Sequence, residues 1–220
     1  MKYFLDIISK NDNSLYILGD FFDYWIGDDH LSKFNKEVII LLRRARHRGL
    51  KIFLMHGNKD FLIGKLFEKI SKVTIIKDPY IMSNSKKRFI FTHGDKLDQS
   101  KKYYILTLLI RNRVIKYLFL LLNTGLRIKI AKYLSSLSNN TSCFKANYQC
   151  FCLGKNKLEN NIIHGHIHQF NIQHKKDYNL YTMDKWDERG QCFILDSSLQ
   201  ITSQFFHHDR KQSNEKIKNL

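Results

Sequence analysis

The chain has 220 residues, enough for one well-filled core with a smaller subdomain beside it. At 43% hydrophobic it is a folding sequence, and Cys143, Cys150, Cys152 and Cys192 form neither a C-x-x-C zinc knuckle nor a disulfide framework. The net charge of +17 favours anionic partners (nucleic acid, anionic lipid or a phosphorylated substrate), although abundant Lys, Asn and Ile would produce it without any selected partner.

The opening "MKYFLDIISKNDNS" predicts a short amphipathic helix and a polar turn, with no cleavable signal peptide. Together with the cysteine usage this points to a reducing, cytoplasmic setting. "SLYILGD" (14–20) reads as a buried strand. "NKEVIILLRRARHRGL" (35–50) carries apolar residues on a helical period and closes near Gly49, a plausible C-cap. "KIFLMHGN" (51–58) predicts a second strand, "FLIGKLFEKI" (61–70) a short helix, and "KVTIIKD" (72–78) and "RFIFTHGD" (88–95) further strands. This β-α-β alternation predicts an α/β sandwich with functional groups on the loops that leave the strands.

The pattern then changes. From Gln99 to Leu158 there is no Asp or Glu, while Lys and Arg recur. Tyr103 to Leu134 is helical in period, apolar on one side and basic on the other, and predicts an inserted helical lid. Arg111, Arg113 and Lys116 interrupt its most apolar part, which falls short of a bilayer-crossing run. "NNIIHGHIHQF" (160–170) reads as a strand entering a histidine loop, and strand-like segments follow at "YTMDKW" and "QCFILD". The expected division is residues 1–98 and 149–206 for the two parts of the core, 99–148 for the lid and 207–220 for a polar tail.

Four strand ends carry metal-type side chains: Asp20 in "LGD", Asn58 in "HGNKD", His93 in "THGD", and His166 with His168 in "HGHIH". Each follows an apolar run and sits beside a glycine, which lets the backbone turn sharply and approach a ligand closely. Carboxylate, amide oxygen and imidazole together suit divalent Mn, Fe or Zn. Two such metals can share a carboxylate, activate water and clamp both oxygens of an in-line phosphoryl displacement, with Asp20 as the shared bridge. One Gly-Asp or His-Gly pair alone is usually structural; the ordered set on successive strand ends is what points to this chemistry.

The segments "LYILGDFFDYWIGDD" (15–29), "MHGNKDFLIGKLF" (55–67), "THGDKL" (92–97), "IIHGHIHQ" (162–169) and "KWDERG" (185–190) resemble the calcineurin-like metallophosphoesterase superfamily. Within it they look most like the pyrophosphatases of the lipid A pathway, whose substrate is UDP-2,3-diacylglucosamine. The resemblance implies a metallophosphoesterase β-sandwich flanked by helices, with a helical lid that holds the acyl chains. It implies two divalent metals, Mn2+ first among them, with Asp20 as bridge, Asn58, His93 and His166 completing one site and His168 in the other. Water would attack the uridine-side phosphorus, releasing UMP and 2,3-diacylglucosamine 1-phosphate. The implied partners are the acylated sugar nucleotide and an anionic bacterial inner membrane, bound peripherally at its cytoplasmic face; no nucleic acid partner is expected and no obligate protein partner is evident.

For the substrate, the resemblance implies contacts from Asn58, Lys59, Lys101, Tyr104, Ser138, Ser142, Lys145 and His166. Lys59 stands where the family usually has Arg, and so loses a bidentate fork, while Lys101 stands where the family tends to have an acid. Asp23, Asp60 and Asp95 are expected to orient the ligands. Asp28 and Asp29 are expected to hold loop geometry or face water, His164 to fill a core position, and Trp186 to pack under the site or, the favoured reading, to be an ordinary core aromatic. The family opens with a strand ending in Asp-x-His ahead of the segment that matches Met1 to Gly19, and this chain shows no such motif; Asp6 is not a substitute. The sheet is therefore expected to lack its first strand and one metal site two ligands. A start codon placed too late, a decaying gene, and a site working with one metal plus water ligands all stay open. So do two other functions, a metallophosphoesterase acting on nucleotides or nucleic acid and an inactive relic of the hydrolase.

Overall fold

Strand and helix alternate through the first part of the chain in the computed structural model, which describes residues 2–9, 13–97, 111–138, 148, 158–186 and 189–207. The class is mixed α/β, as the alternation predicts. The chain divides into two compact units, Met1–Asp78 with Asp95–Asn147, and Pro79–Gly94 with Tyr148–Leu220.

The first unit begins with helix α1 (Lys2–Ile8), strand β1 (Ser14–Ile17), helix α2 (Lys33–His47), strand β2 (Lys51–Met55), helix α3 (Lys65–Ser71) and strand β3 (Thr74–Ile76). The three strands form a parallel sheet in the order β1-β2-β3. Ile52, Leu54 and Met55 of the central strand are buried, so β2 is an almost continuous apolar run rather than an alternating one. Helix α2 buries Val38, Ile39, Leu42 and Ala45, one stripe of its surface, and leaves its arginine-rich face to solvent. It starts two residues earlier than its apolar period suggests, because the Ser32 hydroxyl accepts the Asn35 N–H at 3.1 Å and caps it. It stops at Gly49, whose φ of +98° only glycine adopts freely.

Helix α3 starts at Lys65, four residues later than its sequence pattern, for a tertiary reason. Its N-cap is Gly64, which has no side chain to offer. The Asp28 carboxylate instead accepts the N–H groups of Gly64, Leu66 and Phe67, each at 3.0 Å. The segment read as one helical lid holds two helices among its described residues, α4 (Arg113–Leu121) and α5 (Thr124–Ser138). Asn112 caps the first by accepting from Val114 N–H at 2.8 Å. Asn123 accepts from Leu126 N–H at 2.9 Å and starts the second, while Leu122 turns extended at ψ 152°. Helix α4 has no fully buried residue.

The second unit holds β4 (Tyr80–Ser83), β5 (Lys87–Thr92), β6 (Glu159–His164), β7 (Asn171–His174), β8 (Asn179–Thr182), β9 (Arg189–Leu195) and β10 (Ile201–His207). Five of these form a mixed sheet in the order β4-β5-β6-β8-β7, in which β5, β6 and β8 are parallel and both edges antiparallel. Ile90, Ile162 and Leu180, one from each central strand, make its buried centre. Strands β9 and β10 form an antiparallel hairpin. It packs through Phe193 against Tyr181, with ring centroids 5.5 Å apart. Strands β4, β7 and β10 have no counterpart in the periodicity, and "YTMDKW" is strand only to Thr182.

Candidate metal centre

In the first unit, two loops leave the carboxyl ends of β1 and β2 and carry Asp20 and Asn58. Asp20 has φ 51°, a left-handed conformation that costs a residue with a Cβ. Gly57 makes room for it. A Cβ on Gly57 would fall 2.2 Å from Asp20 Oδ1 and 2.3 Å from Asp20 N, so any larger residue would collide with the carboxylate. The Lys59 N–H donates to Asp20 Oδ1 at 2.9 Å. Asp60 is fully buried and ties the loops together: Oδ2 accepts the Phe21 N–H at 2.8 Å and Oδ1 the Gly57 N–H at 2.7 Å. A buried carboxylate bonded to two backbone donors fixes the spacing of the two loops. Trp25 N–H donates to the Lys59 carbonyl at 2.9 Å, a second tie. His56 Nε2 donates to the Ile63 carbonyl at 2.7 Å, and burial is the main cause that lowers its pKa, so the ring stays neutral.

In the second unit, β5 and β6 end side by side. Gly165 N–H donates to the His93 carbonyl at 3.2 Å, and the rings of His93 and His166 meet edge to face with centroids 5.1 Å apart. His166 has φ 69° and His168 φ 50°. Gly94, at φ +107°, leaves the space for this turn: a Cβ there would fall 3.1 Å from His164 Nδ1 and 3.4 Å from His166 Cβ. His164 is a buried structural histidine. Its Nδ1 donates to the Gly165 carbonyl at 2.9 Å, and its Nε2 lies 3.0 Å from the Tyr148 hydroxyl and 3.1 Å from the Thr182 hydroxyl. Burial pushes its pKa down to about 4, and nearby His93 adds to the shift.

Among the described residues, the non-glycine positions with positive φ are Asp20, Lys72, His166, His168 and Leu199. Lys72 caps a helix and Leu199 turns a hairpin. The remaining three are candidate ligands from the strand-end motifs. Strain of this kind persists only where the surroundings over-determine it, and it collects at functional sites. Asn58, His93 and His166 are buried. Carboxylate, amide and imidazole groups presented by such turns fit a divalent cation in chemistry.

The other predicted residues fall as follows. Lys59 lies beside Asp20 through its backbone. Lys101, Tyr104, Ser142 and Lys145 lie outside the described residues, and Ser138 is described only as the last residue of α5. Asp95 is buried and paired with Arg111 Nη2 at 2.6 Å. Asp23 is exposed. Asp28 and Asp29 do hold loop geometry: Asp28 caps α3 and accepts Trp25 Nε1–H at 3.0 Å, while Asp29 pairs with Arg127 at 2.6 Å. Trp186 is not a core aromatic. It is 44% exposed and stacks on Phe206 at 6.3 Å, because Gly190 lets the indole lie against the hairpin. Sequence reasoning missed Arg127 and Lys116. Both sit in an amphipathic basic segment where a cation ordinarily reads as solvated, and no local spacing singles them out.

Comparison with known proteins agrees with the motifs. The family model described as calcineurin-like phosphoesterase matches residues 1–170. The chain is 37% identical over 150 residues to UDP-2,3-diacylglucosamine hydrolase of Pseudomonas fluorescens strain SBW25, an alignment spanning 66% of this chain and 60% of that protein. It is 32% identical over 215 residues to the hydrolase of the same name from Proteus mirabilis strain HI4320, spanning 92% of this chain and 89% of that one. The corresponding protein of Pseudomonas fluorescens strain Pf0-1 is 33% identical over 90% of this chain and 86% of its own length.

Proposed function

The chain belongs to the calcineurin-like phosphoesterase family, metal-dependent hydrolases, and from that premise we propose that it hydrolyses the pyrophosphate bond of UDP-2,3-diacylglucosamine. The observation that supports the reading is that three left-handed residues, Asp20, His166 and His168, fall at the strand-end motifs of a chain that is 32% identical over 215 residues to a hydrolase of that name. In the first unit Asp20 and Asn58 are the donors assigned to a divalent metal, and in the second His93, His166 and His168. Mn2+ is the proposed ion.

When bound, the metal supplies the Lewis acidity that activates water and neutralises charge on the phosphates. The chain's own residues do the rest. The Lys59 N–H holds the Asp20 carboxylate through one oxygen. Asp60 holds the two loops at a fixed spacing. The Lys59 ammonium is assigned to a phosphate oxygen as a point charge. Water oxygen forms a bond to the uridine-side phosphorus, the bond from that phosphorus to the bridging oxygen breaks, and the bridging oxygen leaves on the sugar 1-phosphate. The products are UMP and 2,3-diacylglucosamine 1-phosphate.

Helices α4 and α5 are proposed to receive the acyl chains. Val114, Tyr117, Leu118 and Leu121 are exposed there among Arg113, Lys129 and Lys132, a mixture that suits a phosphorylated lipid and an anionic bilayer surface. No described helix is long and apolar enough to cross a membrane. The proposed association with the inner membrane is peripheral. The test is release of UMP from UDP-2,3-diacylglucosamine by the purified protein with Mn2+. Release that stops on chelation is expected. Hydrolysis of RNA or bis-p-nitrophenyl phosphate with the acylated sugar nucleotide left intact would overturn the substrate assignment.

A further inference from the structure

We propose that Arg127 is a positioning residue for the metal centre: it seats helix α5 on the loop that follows Asp20 and, through that loop, holds the Asp20 carboxylate in place. Its guanidinium grips the loop at three points. Nη1 donates to Asp29 Oδ1 at 2.8 Å and to the Ile26 carbonyl at 2.9 Å, and Nη2 donates to Asp29 Oδ2 at 2.6 Å. The Arg127 side chain is 6% exposed, whereas that of Asp29 is 58% exposed, so the cation is the partner sunk into the structure. A planar fork is required to meet a carboxylate and a backbone carbonyl together.

Gly27 is the seat. Its φ is +125°, and a Cβ there would lie 2.8 Å from Leu120 Cδ2 and 3.1 Å from Arg127 Nη1, so side chains of α4 and α5 both rest on its bare backbone. Helix α4 grips the other ligand loop: Lys116 Nζ donates to the Phe61 carbonyl at 3.2 Å and lies 5.2 Å from that ring's centroid.

The route from Arg127 to the carboxylate is continuous. Ile26, held by Arg127, follows Trp25, whose N–H donates to the Lys59 carbonyl at 2.9 Å. The N–H of the same Lys59 donates to Asp20 Oδ1 at 2.9 Å. Asp20 sits in a left-handed conformation that the surroundings must enforce. Releasing the loop at Ile26 and Asp29 therefore loosens the residue that most needs holding. Arg127 touches neither the reacting atoms nor the proposed ligands.

The inference rests on Asp20 as a metal ligand and not on the identity of the substrate. Its test uses the full chain with Arg127→Met, Arg127→Lys and Asp29→Asn. The readouts are hydrogen exchange at the Trp25 and Lys59 amides without metal, Mn2+ affinity by titration, and hydrolysis of bis-p-nitrophenyl phosphate. Arg127→Met is expected to speed exchange at both amides and to weaken Mn2+ binding by about tenfold. Arg127→Lys should recover part of the loss, and Asp29→Asn should lose less because the Ile26 carbonyl is still held. A lower thermal midpoint with both amides and the Mn2+ affinity within about twofold of the parent would make Arg127 merely structural and overturn the proposal. If Arg127→Met does not fold, Arg127→Lys and Asp29→Asn decide the matter on the same readouts. A parent protein that binds Mn2+ but leaves UDP-2,3-diacylglucosamine intact would sink the substrate assignment alone.

Discussion

The loop from Asp20 to His30 and the helix α4 belong to one unit and use apolar side chains in opposite ways. In the loop, Phe22, Trp25 and Ile26 are buried, and Trp25 packs edge-on to Phe67 of α3 at 5.4 Å. The loop's polar groups are spent on fixed partners: Asp28 on the α3 terminus, the Trp25 N–H on Lys59, Asp29 on Arg127. Helix α4 has no fully buried residue, and Val114 and Leu121 are 64% and 65% exposed. The contrast suits the proposed roles: a metal ligand is held within a fraction of an ångström by an over-determined loop, whereas a surface proposed to receive flexible acyl chains gains by leaving apolar groups uncommitted.

The largest test of this contrast is at the ligand itself. Asp20→Asn should reduce Mn2+ affinity and turnover by at least about 100-fold with little loss of stability, since asparagine tolerates the left-handed conformation and keeps an oxygen for the Lys59 N–H. Retained metal affinity would show that the rigid loop is not a metal loop. Next, Asp60→Ala leaves two buried N–H groups unbonded and should cost about 3 kcal/mol by denaturant unfolding. Its Mn2+ affinity should fall about tenfold or more as the two loops separate. A normal midpoint would break the claim that the loops are tightly held.

On the adaptable side, Leu118→Ser and Leu121→Ser should change stability by no more than about 0.5 kcal/mol, because those side chains are already in water. They should raise KM for the acylated sugar nucleotide about tenfold and leave bis-p-nitrophenyl phosphate hydrolysis unchanged. A drop of several kcal/mol would place them in a core instead.

The smallest effect lies where the two regions meet. The hydrogen bond from Arg127 is the main cause that lowers the Asp29 pKa below its ordinary 3.8. A carboxyl with a depressed folded pKa contributes stability above its unfolded value and loses it as pH falls through the folded one. The parent should therefore exceed Asp29→Asn in stability near neutral pH, and the gap should close below pH 3.8. Since Asp29 is more than half exposed, the gap should stay under about 1 kcal/mol. Urea midpoints of both proteins across this range check it; a gap that persists in strong acid would mean that the carboxylate charge contributes nothing.

Much of the site was legible because its signals are local. Asp20, Asn58, His93 and His166 each follow an apolar run and neighbour a glycine, and the structure uses Gly57 and Gly94 as cradles whose Cβ positions are already taken. Strands β4 and β7 were not legible, because they are short edges that do not bury a continuous apolar face. Trp186 was misjudged because a tryptophan in sequence carries only a burial tendency. Gly190, four residues on, made the hairpin surface available to it.

The amino-acid sequence alone determined the donor chemistry and the strand ends that present it, because an apolar run, a turn glycine and a ligand lie within a few residues of one another. Tertiary structure alone decided which cation closes on the Asp20 loop. Arg127 and Asp29 are 98 residues apart, and every Lys and Arg of the acid-free segment is locally equivalent. Among the described residues, the seating of Leu120 and Arg127 on the bare backbone of Gly27 selects Arg127, since burial beside a matched carboxylate is open to a side chain that reaches it.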